Sequence, residues 1–220
     1  MDLVEFWTKC AINGIVLDEE QREQLKRYHQ EMLYWNKQVN LISRKDEENF
    51  LEKHLFHSLS VLKYVDIPEK SKCMDVGTGG GLPGLPIAVA AKHIEMTLVD
   101  SIKKKVNITR IFAQHTTLRN LKVINARVEE LADFPDYKNK MDFIFARGVA
   151  SIKDLVTWTK PMLKKNGKYV LLKGGDLTEE ITEAVEAFPS LRVEEKLIKF
   201  IGYDYFEKEE KKILICHLIN

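Results

Sequence analysis

Apolar positions change their spacing near residue 70, and that change divides the chain into two regimes. Before it the spacing is helical. Leu3, Phe6, Trp7 and Cys10 recur at i, i+3, i+4 and i+7, with Gly14 as a stop. Asp18 ahead of Glu19-Glu20-Gln21 has the form of a helix N-cap with an acidic first turn. Leu25, Tyr28, Met32 and Leu33 carry the stripe onward to Tyr34 and Trp35. The segment Trp35 to Ile42, with Asn36 and Asn40, breaks the period and predicts a structured loop or helix end. A helix is expected again over 46–64, with Phe50, Leu51, His54, Leu55, Ser58, Leu59 and Leu62 on one face, until Asp66-Ile67-Pro68 ends it.

After Lys72 short apolar runs alternate with helical stretches. Strands are expected at 73–76, 95–100, 123–126, 143–146 and 169–172. Helices are expected at 86–93, 103–117, 154–163 (closed by Gly167) and 177–187. Two extended runs, 191–200 and 212–219, close the chain as an antiparallel pair. Such alternation predicts an α/β fold, a seven-stranded, mostly parallel, Rossmann-like sheet with helices on both faces. The domain expectation is a helical cap, 1–66, on a ligand-binding unit, 67–220, the two forming one compact body.

The stretch Asp75 to Pro86 is where these elements converge. Five glycines, Gly77, Gly79, Gly80, Gly81 and Gly84, lie between a buried strand and a helix. A strand feeding such a turn into a helix N-terminus is suited to a nucleotide-like ligand. Position 82 is Leu, where a dinucleotide fingerprint wants a small residue for close packing over a pyrophosphate, so an NAD site is disfavoured. Asp100 ends the next strand in the same crevice, where a carboxylate accepts hydrogen bonds from ribose hydroxyls; a plain N-cap for the following helix is its structural alternative. Asp75 is placed to brace the glycine amides or to approach a cationic group of the ligand. These features favour a nucleoside such as S-adenosylmethionine.

Composition narrows the classes further. With 220 residues, 45% hydrophobic and 30% charged, the chain can bury a real core and is not a disordered segment. The longest apolar stretch, 82–91, is too short and too broken to span a bilayer, and the acidic start lacks the basic region of a secretory signal. A cytoplasmic location without membrane contact is expected. Cys10, Cys73 and Cys216 lack metal-ligand spacing and read as buried thiols; no metal is expected. A net charge of +1 leaves nucleic-acid affinity to local clusters: Arg44-Lys45, Lys53-His54, Lys103-Lys104-Lys105 with Arg110, and Lys164-Lys165.

Several separated segments fit one family together. Trp35-Asn36 with Asn40-Leu41, His54-Leu55 with Ser58-Leu59, and Asp75 through Pro86 with its doubled Leu-Pro are three of them. Leu98-Val99-Asp100-Ser101, Arg127-Val128-Glu129-Glu130, Arg147 with Ala150-Ser151, and Leu172-Lys173-Gly174 continue in the same order. The sequence resembles the small-subunit ribosomal RNA guanine-N7 methyltransferases, the glucose-inhibited division protein B family. His57 departs from the Asp common at that position. The resemblance implies a class I methyltransferase fold, with S-adenosylmethionine held at Gly77 and Leu82, the adenosine flanked by Val128 and Glu129, and Arg147 as a further cofactor contact. It implies 16S ribosomal RNA, or an assembling small subunit, as the partner; a monomer is expected. Asp75, Gly79 and Gly81 are expected to support the turn, and Trp35, Asn36, Asn40, Arg44, Lys45 and Lys173 to meet RNA.

The residue chemistry is compatible with that reading. Guanine N7 presents a lone pair and needs no proton removed, so positioning rather than acid–base work is required. After the fourth strand, where amino-methylating relatives place Asn/Asp-Pro-Pro-aromatic, this chain has Phe145-Ala146-Arg147-Gly148. A guanidinium suits an acceptor such as guanine O6 or a phosphate. The alternative for Arg147 is a structural ion pair with Asp142 or Asp154. Rival functions are an NAD oxidoreductase, a non-catalytic RNA-binding protein and a methyltransferase for another RNA or a small molecule.

Overall fold

The computed structural model describes residues 1–219. Seven strands form one sheet in the order β3-β2-β1-β4-β5-β7-β6. The strands are β1 (Lys72–Val76), β2 (Glu95–Asp100), β3 (Leu121–Asn125), β4 (Met141–Arg147), β5 (Leu163–Gly174), β6 (Leu191–Leu197) and β7 (Lys211–Leu218). β1 to β5 pair in parallel, and β7 runs antiparallel to both β5 and β6. The strand order reverses at β1, between β2 and β4. In open α/β sheets a crevice opens at such a switch point, outside the carboxyl ends of the strands.

Period-two alternation divides the sheet's side chains between two cores. Cys73, Leu98, Phe143, Phe145, Val170, Leu172, Ile213 and Ile215 face one side. There they pack against α1 (Leu3–Ile12), α2 (Glu19–Asn36), the rest of the cap, α5 (Gly84–Ala90) and α6 (Lys103–His115). Met74, Val76, Val99, Ile144, Ala146, Leu171 and Leu214 face the other. Their cover is α7 (Val128–Leu131), α8 (Ile152–Thr159) and α9 (Thr178–Ala187). By the same period Asp75 and Arg147 fall on the cap side, and Lys173 on the far side. This parity decides what each can touch. No helix among the described residues is long and apolar enough to cross a membrane.

Three local expectations are corrected. The helix expected over 46–64 is broken into a 3₁₀ turn (Arg44–Asp46), a π-helical turn (Leu51–Phe56), α3 (His57–Leu59) and α4 (Val61–Tyr64). Ser58 and Ser60 hydroxyls donate to the His54 and His57 carbonyls at 2.7 and 2.6 Å, offering the backbone an alternative to a regular ladder. The helix expected to run to Leu163 ends at Thr159, before Pro161, and Gly167 lies inside β5. A Cβ on Gly167 would stand 2.9 Å from the Met141 carbonyl, so close strand approach, not a helix stop, accounts for this glycine. A short α10 (Tyr205–Lys208) between β6 and β7 has no counterpart among the expected elements. The Asp18 cap forms as expected and as a full capping box with Gln21.

Candidate active site

The glycine turn is held from three directions. Asp75 is fully buried on β1, and its Oδ2 accepts from the Thr78 hydroxyl at 2.6 Å and the Gly84 N–H at 2.9 Å. Its Oδ1 is buried without a partner. Burial pushes this carboxyl up to about 7, against the opposing pull of Thr78, Gly84 and Arg147. From α6, the Thr109 hydroxyl donates to the Gly79 carbonyl at 2.7 Å. From α2, the Tyr28 hydroxyl donates to the Gly80 carbonyl at 2.8 Å. A Cβ on Gly80 would meet Met32 Cε at 2.7 Å, so the cap lies directly on the loop.

Asp100 bridges the turn to the next loop. Its Oδ2 accepts from the Gly79 N–H and its Oδ1 from the Ile102 N–H, both at 2.8 Å. Each oxygen retains a second lone pair, and the side chain lines a crevice of about 300 Å³. Gly77, Val76, Val99, Val128, Glu129 and Trp158 also line that crevice. Gly77 adopts φ +63°, and a Cβ there would stand 2.5 Å from Val149, so only glycine leaves this wall open. Apolar walls with a carboxylate at the edge suit a purine nucleoside, and the residues present fit S-adenosylmethionine.

The structure therefore brings Gly77, Asp100, Val128 and Glu129 together. Leu82 lies outside this lining: it is buried, and its N–H donates to the Thr78 carbonyl at 2.9 Å. Gly81 likewise closes the turn on Thr78 at 2.8 Å. Arg147 is also outside the crevice. It lines a neighbouring cavity of about 520 Å³ on the cap side, which meets the crevice at Gly148. There its Nη2 lies 2.8 Å from His54 Nδ1. Neither Asp142, which holds Lys164 and the Lys72 N–H, nor Asp154, which pairs with Ser151, touches it. His54, placed by the sequence on the apolar face of a helix, has a polar partner that pattern concealed. Burial and the Arg147 charge drive its titration down to about 3, leaving a neutral imidazole.

The residues expected to meet RNA separate into two groups. Arg44, Lys45 and Asn40 are exposed. Asn36 is buried and locks the loop, donating to Glu47 at 2.7 Å and accepting from the Leu41 and Ile42 N–H groups at 2.7 and 2.9 Å. Trp35 is half-buried, donating to Glu31 at 3.2 Å beside a separate surface hollow with Tyr34 and His115. The Lys173 ammonium, on the face away from the cap, binds Glu180 at 2.6 Å and the Ala150 carbonyl at 2.8 Å. Glu180 also accepts the Ile152 N–H at 2.8 Å, so this pair fastens the loop after β4. Lys53 and Lys164 are paired with Asp46 and Asp142. Sequence reasoning missed Tyr28, Thr109 and Glu180, ordinary residue types whose roles depend on tertiary approach.

A parallel sheet reversing at β1, a glycine turn at that point and a carboxylate on the neighbouring strand form a nucleoside-binding frame of the Rossmann-like kind, the frame of a class I methyltransferase. The fold matches, with a TM-score of 0.57 at 18% identity over 80% of this chain and 96% of the other, a SAM-dependent methyltransferase from Aquifex aeolicus. The chain belongs to the rRNA small subunit methyltransferase G family, whose model matches residues 21–210. It is 38% identical over 187 residues to the ribosomal RNA small subunit methyltransferase G of Chlorobium luteolum, covering 82% of this chain and 76% of the relative. It is 31% identical over 212 residues to the protein of that name from Lactococcus lactis, covering 96% and 88%.

Proposed function

We propose that the protein transfers the methyl group of S-adenosylmethionine to N7 of a guanine in the 16S RNA of the small ribosomal subunit. The observation that carries this reading is the crevice of Gly77, Asp100, Val128 and Glu129 opening at Gly148 onto a cavity with Arg147 at its wall. The family membership supports the rRNA substrate. The enzyme works as a monomer in the cytoplasm, on the free RNA or on an assembling subunit, with Arg44, Lys45 and Asn40 on the RNA-facing rim of the cap.

Asp100 would receive the ribose hydroxyls, Val128 and Val99 would flank the base, and Gly77 leaves room for the backbone to approach. Bound in that crevice, S-adenosylmethionine supplies a methyl group activated by the positive sulfur. Guanine N7 would bond the methyl carbon through its own lone pair as the carbon–sulfur bond breaks and S-adenosylhomocysteine leaves, so no side chain has to remove a proton. The protein's task is to exclude water and to hold the base edge in line with the methyl carbon, an arrangement able to supply about 7–11 kcal/mol of the barrier reduction in well-oriented systems. Arg147 is the positioning group for that edge.

The test incubates purified protein and methyl-labelled S-adenosylmethionine with small subunits from cells lacking the protein, then digests the RNA to nucleosides. Label is expected in N7-methylguanosine alone, and Arg147→Ala protein with an unchanged circular-dichroism spectrum is expected to transfer none. Label in another nucleoside, or wild-type turnover in the variant, would overturn the reading.

A further inference from the structure

The cap-side cavity is assembled from three distant parts of the chain. The π-helical turn and α3 bring His54 and His57, the end of β4 brings Arg147, and α10 with the start of β7 brings Tyr205 and Lys211. We propose that this cavity seats the target guanine, with Arg147 donating to O6 and His54 as the residue that positions Arg147. The proposal rests on the N7 reading above and adds where the base sits and what orients its partner.

Polar groups short of partners converge here. Arg147 is half-buried, yet among the described residues no carboxylate comes within ion-pair distance of it, and its one side-chain hydrogen bond is to His54. A partly desolvated guanidinium with unused donors gains from an acceptor that completes it. His57 is 6% exposed, lines the same cavity, and has a buried Nε2 with no partner. Lys211 at the rim is in no ion pair among the described residues, and the half-buried Tyr205 offers a ring face.

His54 fixes the direction in which Arg147 donates. A guanidinium only donates, so His54 Nδ1 is the acceptor and the ring proton resides on Nε2. That Nε2 lies 3.7 Å from Asp46 Oδ2, beyond hydrogen-bond length, and is buried without a hydrogen-bond partner. With one nitrogen held by a neutral imidazole, the rest of the fork is free for a ligand. Guanine places O6 beside N7 on one edge, so a donor to O6 orients N7. Adenine carries an amino group at that position, which a guanidinium cannot bond, so the same contact selects the base.

The competing occupant is the carboxylate end of S-adenosylmethionine, and the experiment separates the two. His54→Ala, His54→Asn and Tyr205→Leu proteins are compared with wild type for S-adenosylhomocysteine affinity by calorimetry, for thermal unfolding without ligand, and for kcat and KM on unmethylated small subunits. His54→Ala is expected to lose at least about tenfold in kcat with S-adenosylhomocysteine affinity within about threefold of wild type. His54→Asn, whose side-chain oxygen can replace Nδ1 as acceptor, is expected to recover most of that loss. Tyr205→Leu is expected to raise KM for the subunits and leave S-adenosylhomocysteine affinity unchanged. The proposal is overturned if S-adenosylhomocysteine affinity falls in step with activity, if alanine and asparagine at 54 behave alike, or if His54→Ala turns over normally. Should His54→Ala unfold, Tyr205→Leu decides: an unchanged KM overturns the base seat. Failure of the N7 reading itself would be visible in wild type, as products without N7-methylguanosine.

Discussion

Asp75 and Arg147 lie on the cap-facing side of adjacent strands, and each is an ionisable group in a place that disfavours charge. Asp75 pairs in register with Phe145, two residues before Arg147. The Asp75 carboxyl is raised by burial from 3.8 to about 7. Its sign is therefore the reverse of a salt-bridged acid. Below about pH 4 both folded and unfolded states are protonated. Between pH 4 and 7 the unfolded chain releases its proton while the folded chain keeps it, so stability falls as pH rises, and above 7 the deficit is constant. Asp75→Asn keeps an acceptor for Thr78 and Gly84 and removes this deficit. Denaturant unfolding should show the variant gaining on wild type by on the order of 3 kcal/mol from pH 4 to pH 8. A pH-independent difference would contradict the assignment. The placing of Asp75, Asp100 and Gly77 around one turn was legible in the sequence because strand ends and a glycine run fix which backbone they share. His54 was not: Leu51 and Leu55 on either side give it the pattern of a core residue, and its polar partner is on a strand 93 positions away.

At the level of elements, α2 is the cap's working helix, because Tyr28 and Met32 press on the glycine turn proposed to receive the cofactor. Tyr28→Phe removes one buried hydroxyl and strands the Gly80 carbonyl. The expected cost is about 1–3 kcal/mol in unfolding free energy, with weaker S-adenosylhomocysteine binding by calorimetry. Unchanged affinity would mean the loop keeps its shape without the cap. Strands β1, β2 and β4 and the α2 cap were readable from apolar period and from Asp18. The π-helical turn was not, since serine-to-carbonyl bonds at Ser58 and Ser60 interrupt a pattern that still looks helical. Gly167 misled for a related reason: a glycine required for close strand approach has the same letter as a glycine that ends a helix.

Across the whole molecule, one core joins cap and sheet. Phe6, Tyr28, Leu55 and Phe56 from the cap share a cluster with Phe145, Val170, Phe200 and Ile215. We propose that the cap and residues 67–220 are one cooperative unit rather than separable domains. A fragment of 67–220 is expected to bind a hydrophobic dye and to lack a cooperative thermal transition; a folded fragment would contradict this. The order of elements made the sheet legible in advance, but the meeting of the cap, β4 and α10 around one cavity was not, because no local pattern encodes which loops share a sheet edge.

The central claim is a reaction at one atom of one base class, and its most direct test is nucleoside mapping of small-subunit RNA from cells with and without this protein. The expected result is loss of N7-methylguanosine from the 16S RNA in its absence and restoration by the wild-type chain, with Arg147→Ala failing to restore it. N7-methylguanosine at the same level in both RNAs would contradict the account.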